Sequence, residues 1–336
     1  MYQQFYGLRE LPFELTPNPK YLFLTRQHRE ALSNLQYGLF SAKSITVLIG
    51  EAGTGKTTLI HAALESPSCR NISCVYLNNP ALTRGEFVEV LSQAFSLSER
   101  AAESKAVLLA ELKEVLSERR ANGQITALVV DEAQSLSGEL LEELRLLANI
   151  ETSTDKLLPL VLAGQPELKS RLNEVGLRQL KQRVALRCEV RACDEEETAA
   201  YIAHRVRTAG GDAAKLFSLE AVKLIYRMSG GIPRVISVIC DNALITGCGL
   251  ERRPVDRAIV LEVARDFDLE DRLEPQGGLA NPPEYAQHAD GFAVTPVAPG
   301  AELAVAETAA LGAPENEREM FGGPPAPRRF SLFRGR

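Results

Sequence analysis

The feature that most constrains this chain is Gly50-Glu51-Ala52-Gly53-Thr54-Gly55-Lys56-Thr57, with Thr58 next. It follows an apolar run at 45–49 and precedes a helical stretch at 58–64. A buried strand, a glycine turn and a helix start present backbone N–H groups and the positive end of a helix to an anion. The glycines let the backbone approach phosphates. Lys56 can reach a β- or γ-phosphate, and the Thr57 hydroxyl can ligate Mg²⁺. The expectation is a site for ATP or GTP, with Arg234, discussed below, as a further phosphate ligand.

Around this loop, strand-like and helix-like segments alternate. Apolar strands are expected at 45–49, 72–77, 125–130, 158–163 and 185–190. Apolar residues at 3–4 spacing place helices at 30–40, 84–95, 106–119, 137–148 and 167–184, the last interrupted near Gly176. Such alternation argues a parallel sheet covered on both faces, a P-loop NTPase α/β fold occupying 1–190. From Asp194 the pattern becomes helical only, at 195–209, 218–228, 233–246 and 256–267, a small lid domain over 191–267 with Pro233 at a helix start. Residues 268–336 hold nine of the 18 prolines and few apolar side chains, and read as disordered. Their basic, aromatic end, 328–336, reads either as a docking motif or as a solvated terminus.

Charge bears on partners. The net charge of −6 falls mostly in that tail, with 11 acidic and 6 basic side chains, which leaves 33 acidic and 32 basic before residue 268. The folded part therefore lacks the basic excess of a general nucleic-acid binder. No apolar run reaches the roughly 18 residues of a membrane span, and the N-terminus has no basic-then-apolar leader. A cytoplasmic protein is expected, reaching the inner membrane through a partner at most. The six cysteines form no C-x-x-C pair and read as reduced structural thiols.

Five further residues carry chemistry, with an asparagine beside them. An apolar strand at 125–130 ends in Asp131-Glu132. Asp131 would hold the metal, and Glu132 would polarise an attacking water as general base. Gln165, after the 158–163 strand, would lie between these acids and a γ-phosphate. Arg183 precedes the last strand, where an arginine can face a neighbouring subunit and stabilise transition-state charge; Arg178 is the alternative. Arg234 sits in the first turn of a helix, an unfavourable place for a cation unless a phosphate lies there. Asn78, or its neighbour Asn79, could hydrogen-bond Glu132 and hold it back from water.

These motifs, in this order, resemble the AAA+ ATPases. More specifically the chain resembles the general secretion pathway protein A (ExeA-type) family and the related ATPases of exosortase and exopolysaccharide loci. The resemblance rests on Phe5-Tyr6-Gly7-Leu8 with Pro12-Phe13, Thr16-Pro17-Asn18-Pro19, His28-Arg29-Glu30-Ala31-Leu32, the glycine loop, and Asp131-Glu132-Ala133-Gln134. It continues through Leu144-Arg145-Leu146-Leu147 with Asn149, Gly164-Gln165-Pro166-Glu167-Leu168, and Gly231-Ile232-Pro233-Arg234. It implies Gln165 as first sensor, Arg234 as second and Arg183 as arginine finger. ATP hydrolysis would occur with Mg²⁺ in a homo-oligomer, a ring or ATP-dependent assembly, acting on envelope secretion or export proteins. ExeA-type proteins typically continue into a transmembrane helix and a peptidoglycan-binding domain, which the polar tail here does not resemble. A DNA-transposition helper ATPase has similar motifs and is the rival reading; a nucleotide switch with negligible turnover is a third, against which the intact Asp131-Glu132 pair argues.

Overall fold

The computed structural model describes residues 2–16, 18–78 and 82–269. Asn79 and the tail beyond Leu269, including 328–336, lie outside the described residues.

Five parallel strands form one sheet in the order β2-β3-β4-β1-β5. They are β1 (Ile45–Gly50), β2 (Ile72–Leu77), β3 (Ile125–Val130), β4 (Leu160–Gly164) and β5 (Val184–Val190). β1 is buried at every position and β3 at all but the first, because helices cover both faces. Side chains alternate across the sheet. Ile45, Val47, Ile49, Leu128 and Val130 point into a core with helices Arg84–Phe95, Lys105–Ala121 and Gly138–Leu147. Leu48, Ala127, Val129 and Val161 point the other way, against helices Arg26–Phe40 and Lys56–Leu64. The P-loop NTPase architecture expected from the alternation is thus the one observed.

Boundaries differ where caps decide them. The first long helix starts at Arg26 rather than 30, because the Thr25 side chain accepts from the His28 N–H as its N-cap. The stretch expected as a helix over 167–184 is two short helices, Pro166–Arg171 and Arg178–Gln182, joined through a 3₁₀ turn, and Val184 already belongs to β5. β4 begins at Leu160, after Pro159, which has no N–H to give a ladder.

The helical part comprises Glu195–Thr208, Leu219–Ser229, Pro233–Gly249 and Arg257–Asp266, with a short turn of helix at Ala213–Leu216. Its core also takes in the N-terminal segment: Tyr2, Tyr6, Leu8, Phe13 and Tyr21 pack with Ile202, Leu224, Ile236 and Val260. Arg205 fastens that segment, donating to the carbonyls of Pro12 and Glu14 and lying over the rings of Phe13 and Tyr21. Among the described residues no helix is long and apolar enough to cross a membrane.

The connection from sheet to helices is fixed at Gly231. Its carbonyl accepts from the Cys193 N–H at 2.8 Å, its φ is +74°, and a Cβ there would lie 1.9 Å from the Cys193 carbonyl oxygen. Left-handed backbone costs a non-glycine residue about 1–2 kcal/mol, and the overlap with main chain cannot be relieved by a rotamer. Gly231→Ala is therefore expected to destabilise the protein by about 2–4 kcal/mol, read as a lower urea midpoint; an unchanged midpoint would show that the 193–231 contact holds nothing.

Candidate functional site

β4 lies between β1 and β3, with Ile49 level with Gly164 and Val130 level with Leu162. The carboxyl ends of all three strands therefore meet at one edge, and each releases one of the expected motifs there.

The glycine loop leaves β1 and turns through Gly53 (φ +81°) and Gly55 (φ +94°). Gly55 caps helix Lys56–Leu64 without a side-chain bond, so the first N–H groups of that helix have no side-chain acceptor at their cap. Lys56 is only 5% exposed. Its Nζ donates to the carbonyls of Gly50 (2.8 Å) and Glu51 (3.1 Å). Burial pulls its pKa below the ordinary lysine value, against the opposing charges of Glu132, Asp131 and Glu51. Glu51 is otherwise exposed; Ala52 to Thr58 line a cavity of about 490 Å³.

Asp131, at the end of β3, is buried. Its Oδ2 accepts from the Thr57 hydroxyl at 2.7 Å and from the Tyr76 hydroxyl at 3.0 Å, and its Oδ1 accepts from the Glu132 N–H at 2.9 Å. His61 stacks on the Tyr76 ring with centroids 5.4 Å apart. A hydroxyl and a carboxylate, both hard oxygen donors, suit Mg²⁺, and the loop with its buried ammonium suits a triphosphate. The residues present fit both groups.

Glu132 reaches the cavity wall, with its backbone in the left-handed region (φ +52°). Its Oε2 accepts from Gln134 Nε2 at 2.6 Å and from Gln165 Nε2 at 3.2 Å. Burial alone would raise this carboxyl; the two amides and the charge of Lys56 outweigh it and hold it below the usual carboxylate range. The expectation for Asn78 fails in this geometry. Asn78 is exposed at the end of β2, and among the described residues the side-chain donors to Glu132 are the two glutamines. The turn after Asp131 brings Gln134 back over Glu132.

Arg234 lies in the first turn of helix Pro233–Gly249. Pro233 has no N–H to satisfy, and the Arg234 N–H donates to Gly53 O at 3.2 Å, so the glycine loop takes up one of the helix's free donors. The Arg234 side chain is exposed and lines the cavity with the loop. A Cβ on Gly53 would meet the Arg234 Cβ at 2.8 Å, which requires glycine at the contact. Arg183 and Arg178 do not join this site. Both are exposed, and Arg183 precedes β5 at the amino end of the strands, where it helps, behind Lys156, to lower the carboxyl pKa of Glu151.

Several residues of the site had no assigned role in the sequence. Glu14, Tyr21 and Phe23 from the N-terminal segment, and Tyr201, Arg205 and Ser237 from the helical part, complete the cavity. His28 is buried at 5% exposure, with Nδ1 2.7 Å from Thr25 Oγ1 and Nε2 3.0 Å from Thr54 O. Burial lowers its pKa, so the neutral ring ties helix Arg26–Phe40 to the glycine loop. The signal for it was the Thr25-to-His28 capping interval, which reading the helix from residue 30 passes over. His28→Ala is expected to weaken ATP binding about tenfold, the loss of one buried hydrogen bond. Titration calorimetry checks this, and unchanged affinity would mean that the loop holds its shape unaided.

A family model described as "AAA domain" matches residues 39–172. Over 246 residues the chain is 41% identical to "General secretion pathway protein A" of Aeromonas hydrophila, a match taking in 73% of this chain and 44% of that protein. The chain thus spans less than half the length of that relative. Its fold is similar to CDC6p from Pyrobaculum aerophilum, with TM-score 0.59 and 16% identity over 76% of this chain and 70% of that one. It is also similar to the Aeropyrum pernix ORC2 protein in its ADPNP-ADP complexes, with TM-score 0.56 and 15% identity over 76% and 71%. At these identities the likeness is one of fold. The chain carries an AAA domain and is homologous, over 73% of its own length, to general secretion pathway protein A.

Proposed function

We propose that this protein hydrolyses ATP to ADP and phosphate at interfaces between its own copies. The work would be assembly or remodelling of an envelope apparatus for secretion or polysaccharide export. The observation that carries the enzymatic part is the convergence of Lys56, the Thr57–Asp131 pair and Glu132 beside one cavity that Arg234 also lines. The 41% identity to a general secretion pathway protein supports the cellular setting. Action at the cytoplasmic face of the inner membrane, through a partner, follows from that setting.

In this reading the loop N–H groups and Lys56 hold the β- and γ-phosphates, and Arg234 binds them from the lid. Thr57 and Asp131 would hold Mg²⁺, which neutralises charge on the phosphate oxygens when bound. Glu132 has one oxygen engaged by the glutamine amides. Its other oxygen takes the proton from a water whose oxygen bonds to the γ-phosphorus as the bond to the ADP oxygen breaks. Gln165, hydrogen-bonded to Glu132, orients that water from the end of β4. Arg183 lies at the opposite end of the strands from its own loop, which suits a role in a neighbour's site; Arg178 is its alternative.

Glu132→Gln should bind ATP with near-normal affinity and lose turnover by about 10²–10⁴-fold; hydrolysis at the wild-type rate overturns the base assignment. Arg183→Ala should be inactive alone but regain partial turnover when mixed with Glu132→Gln subunits, since mixed interfaces pair an intact base with an intact arginine. If mixing restores nothing while Arg178→Ala mixtures recover, the finger is Arg178.

A further inference from the structure

Among the described residues that touch the Glu132 carboxylate, Gln134 has the shorter hydrogen bond. Its amide nitrogen donates to Glu132 Oε2 at 2.6 Å while its amide oxygen accepts from the Gln165 backbone N–H at 3.0 Å. One side chain therefore holds both the base and the residue beside it, each through a different atom of the same planar group. Gln134 is itself fixed. Arg171 Nη1 donates to the Gln134 carbonyl at 2.5 Å and also to the Leu136 carbonyl. Arg171 ends the short helix that Gln165 begins, so that helix is tied to the 132–136 turn at both ends.

Room for the Gln134 amide is made by the strand. A Cβ on Gly164, the last residue of β4, would lie 2.7 Å from Gln134 Oε1. The turn contributes as well. Glu132 in the left-handed region is followed by a 3₁₀ turn, which folds position 134 back over 132. An extended continuation of β3 would carry residue 134 away from the base.

We infer that Gln134 is a positioning residue for ATP hydrolysis, holding the Glu132 carboxylate and Gln165 in one rigid frame so that a single Glu132 oxygen faces the cavity. The inference rests on Glu132 being the base. Without Gln134, Oε2 keeps only the longer bond from Gln165, the carboxylate gains rotational freedom, and Gln165 loses the acceptor of its N–H. Orientation losses of this kind reduce the chemical step far more than binding, because the phosphate ligands are elsewhere.

The test uses the full chain with Mg²⁺ and ATP, and compares Gln134→Leu, of similar size without the amide, with Glu132→Gln. For Gln134→Leu we expect kcat to fall about 10–100-fold with KM within about threefold of wild type. Gln134→Asn, which keeps an amide on a shorter arm, should recover part of the lost kcat. Thermal unfolding midpoints within a few degrees of wild type separate these effects from misfolding. If Glu132→Gln is inactive yet Gln134→Leu keeps the wild-type kcat, the role of Gln134 is overturned while the base assignment stands. If Glu132→Gln hydrolyses ATP normally, the base assignment itself has failed. A fall in kcat with KM rising alongside it and no recovery by Gln134→Asn reduces Gln134 to a packing role and overturns the inference too.

Discussion

The arrangement depends on β4 lying between β1 and β3. These strands are far apart in sequence, and parallel pairing through β4 sets their carboxyl ends level. Without that insertion the glycine loop and the Asp131-Glu132 pair would leave the sheet from adjacent strands, with no third strand end between them. With it, Thr57 reaches Asp131 at 2.7 Å, and Gln165 leaves the intervening strand within reach of Glu132. Full burial of β1 and β4 is what makes the register firm: a slip of one residue would turn each strand's two faces over, exchanging Ile45, Val47 and Ile49 with Leu48 between unlike cores.

The electrostatics follow from the same edge. Lys56 is buried and loses hydration, which by itself favours the neutral amine. Two main-chain carbonyls at 2.8 and 3.1 Å and the nearby carboxylates offset that cost. Glu132 shows the opposite balance. Amides from Gln134 and Gln165 stabilise its charge against burial, so the carboxylate stays ionised but is a weaker base than its burial alone would make it. A base of lowered proton affinity gains from being aimed, which is the role its neighbours can serve.

Much of this was legible in the sequence where local chemistry decides the outcome. Three of the five strands, β1, β3 and β4, lie where apolar runs end in glycine or an acid, and the Ile232-Pro233-Arg234 string marks a helix start through the missing N–H of proline. Contacts that depend on the chain returning to itself were not legible. Gln134 sits two residues from Glu132 in a string whose spacing says nothing of a left-handed turn, so the sequence ranks it no higher as a donor to Glu132 than Asn78 or Asn79. His28 is far from the loop in sequence and reaches Thr54 only because helix Arg26–Phe40 packs beside helix Lys56–Leu64. The packing of Tyr2, Tyr6 and Phe13 among the helices that follow β5 had no local signature at all, since aromatic side chains are at home in any core.

That packing determines how the cavity is built. Phe23 packs against the helical core and Leu24 against the sheet's, so the chain crosses from one to the other between adjacent residues. It crosses back between Val190, which belongs to the sheet core, and Tyr201, which belongs to the helical one. Arg205 binds the N-terminal segment to the helices through two carbonyls and two rings, so Glu14, Tyr21 and Phe23 share a body with Arg234. The loop, Glu132 and His28 share the other. Between the two cores, the Arg234 N–H donates to the Gly53 carbonyl at 3.2 Å. A molecule filling the cavity meets side chains anchored in both cores at once, so the cavity keeps its shape only while that contact holds them together.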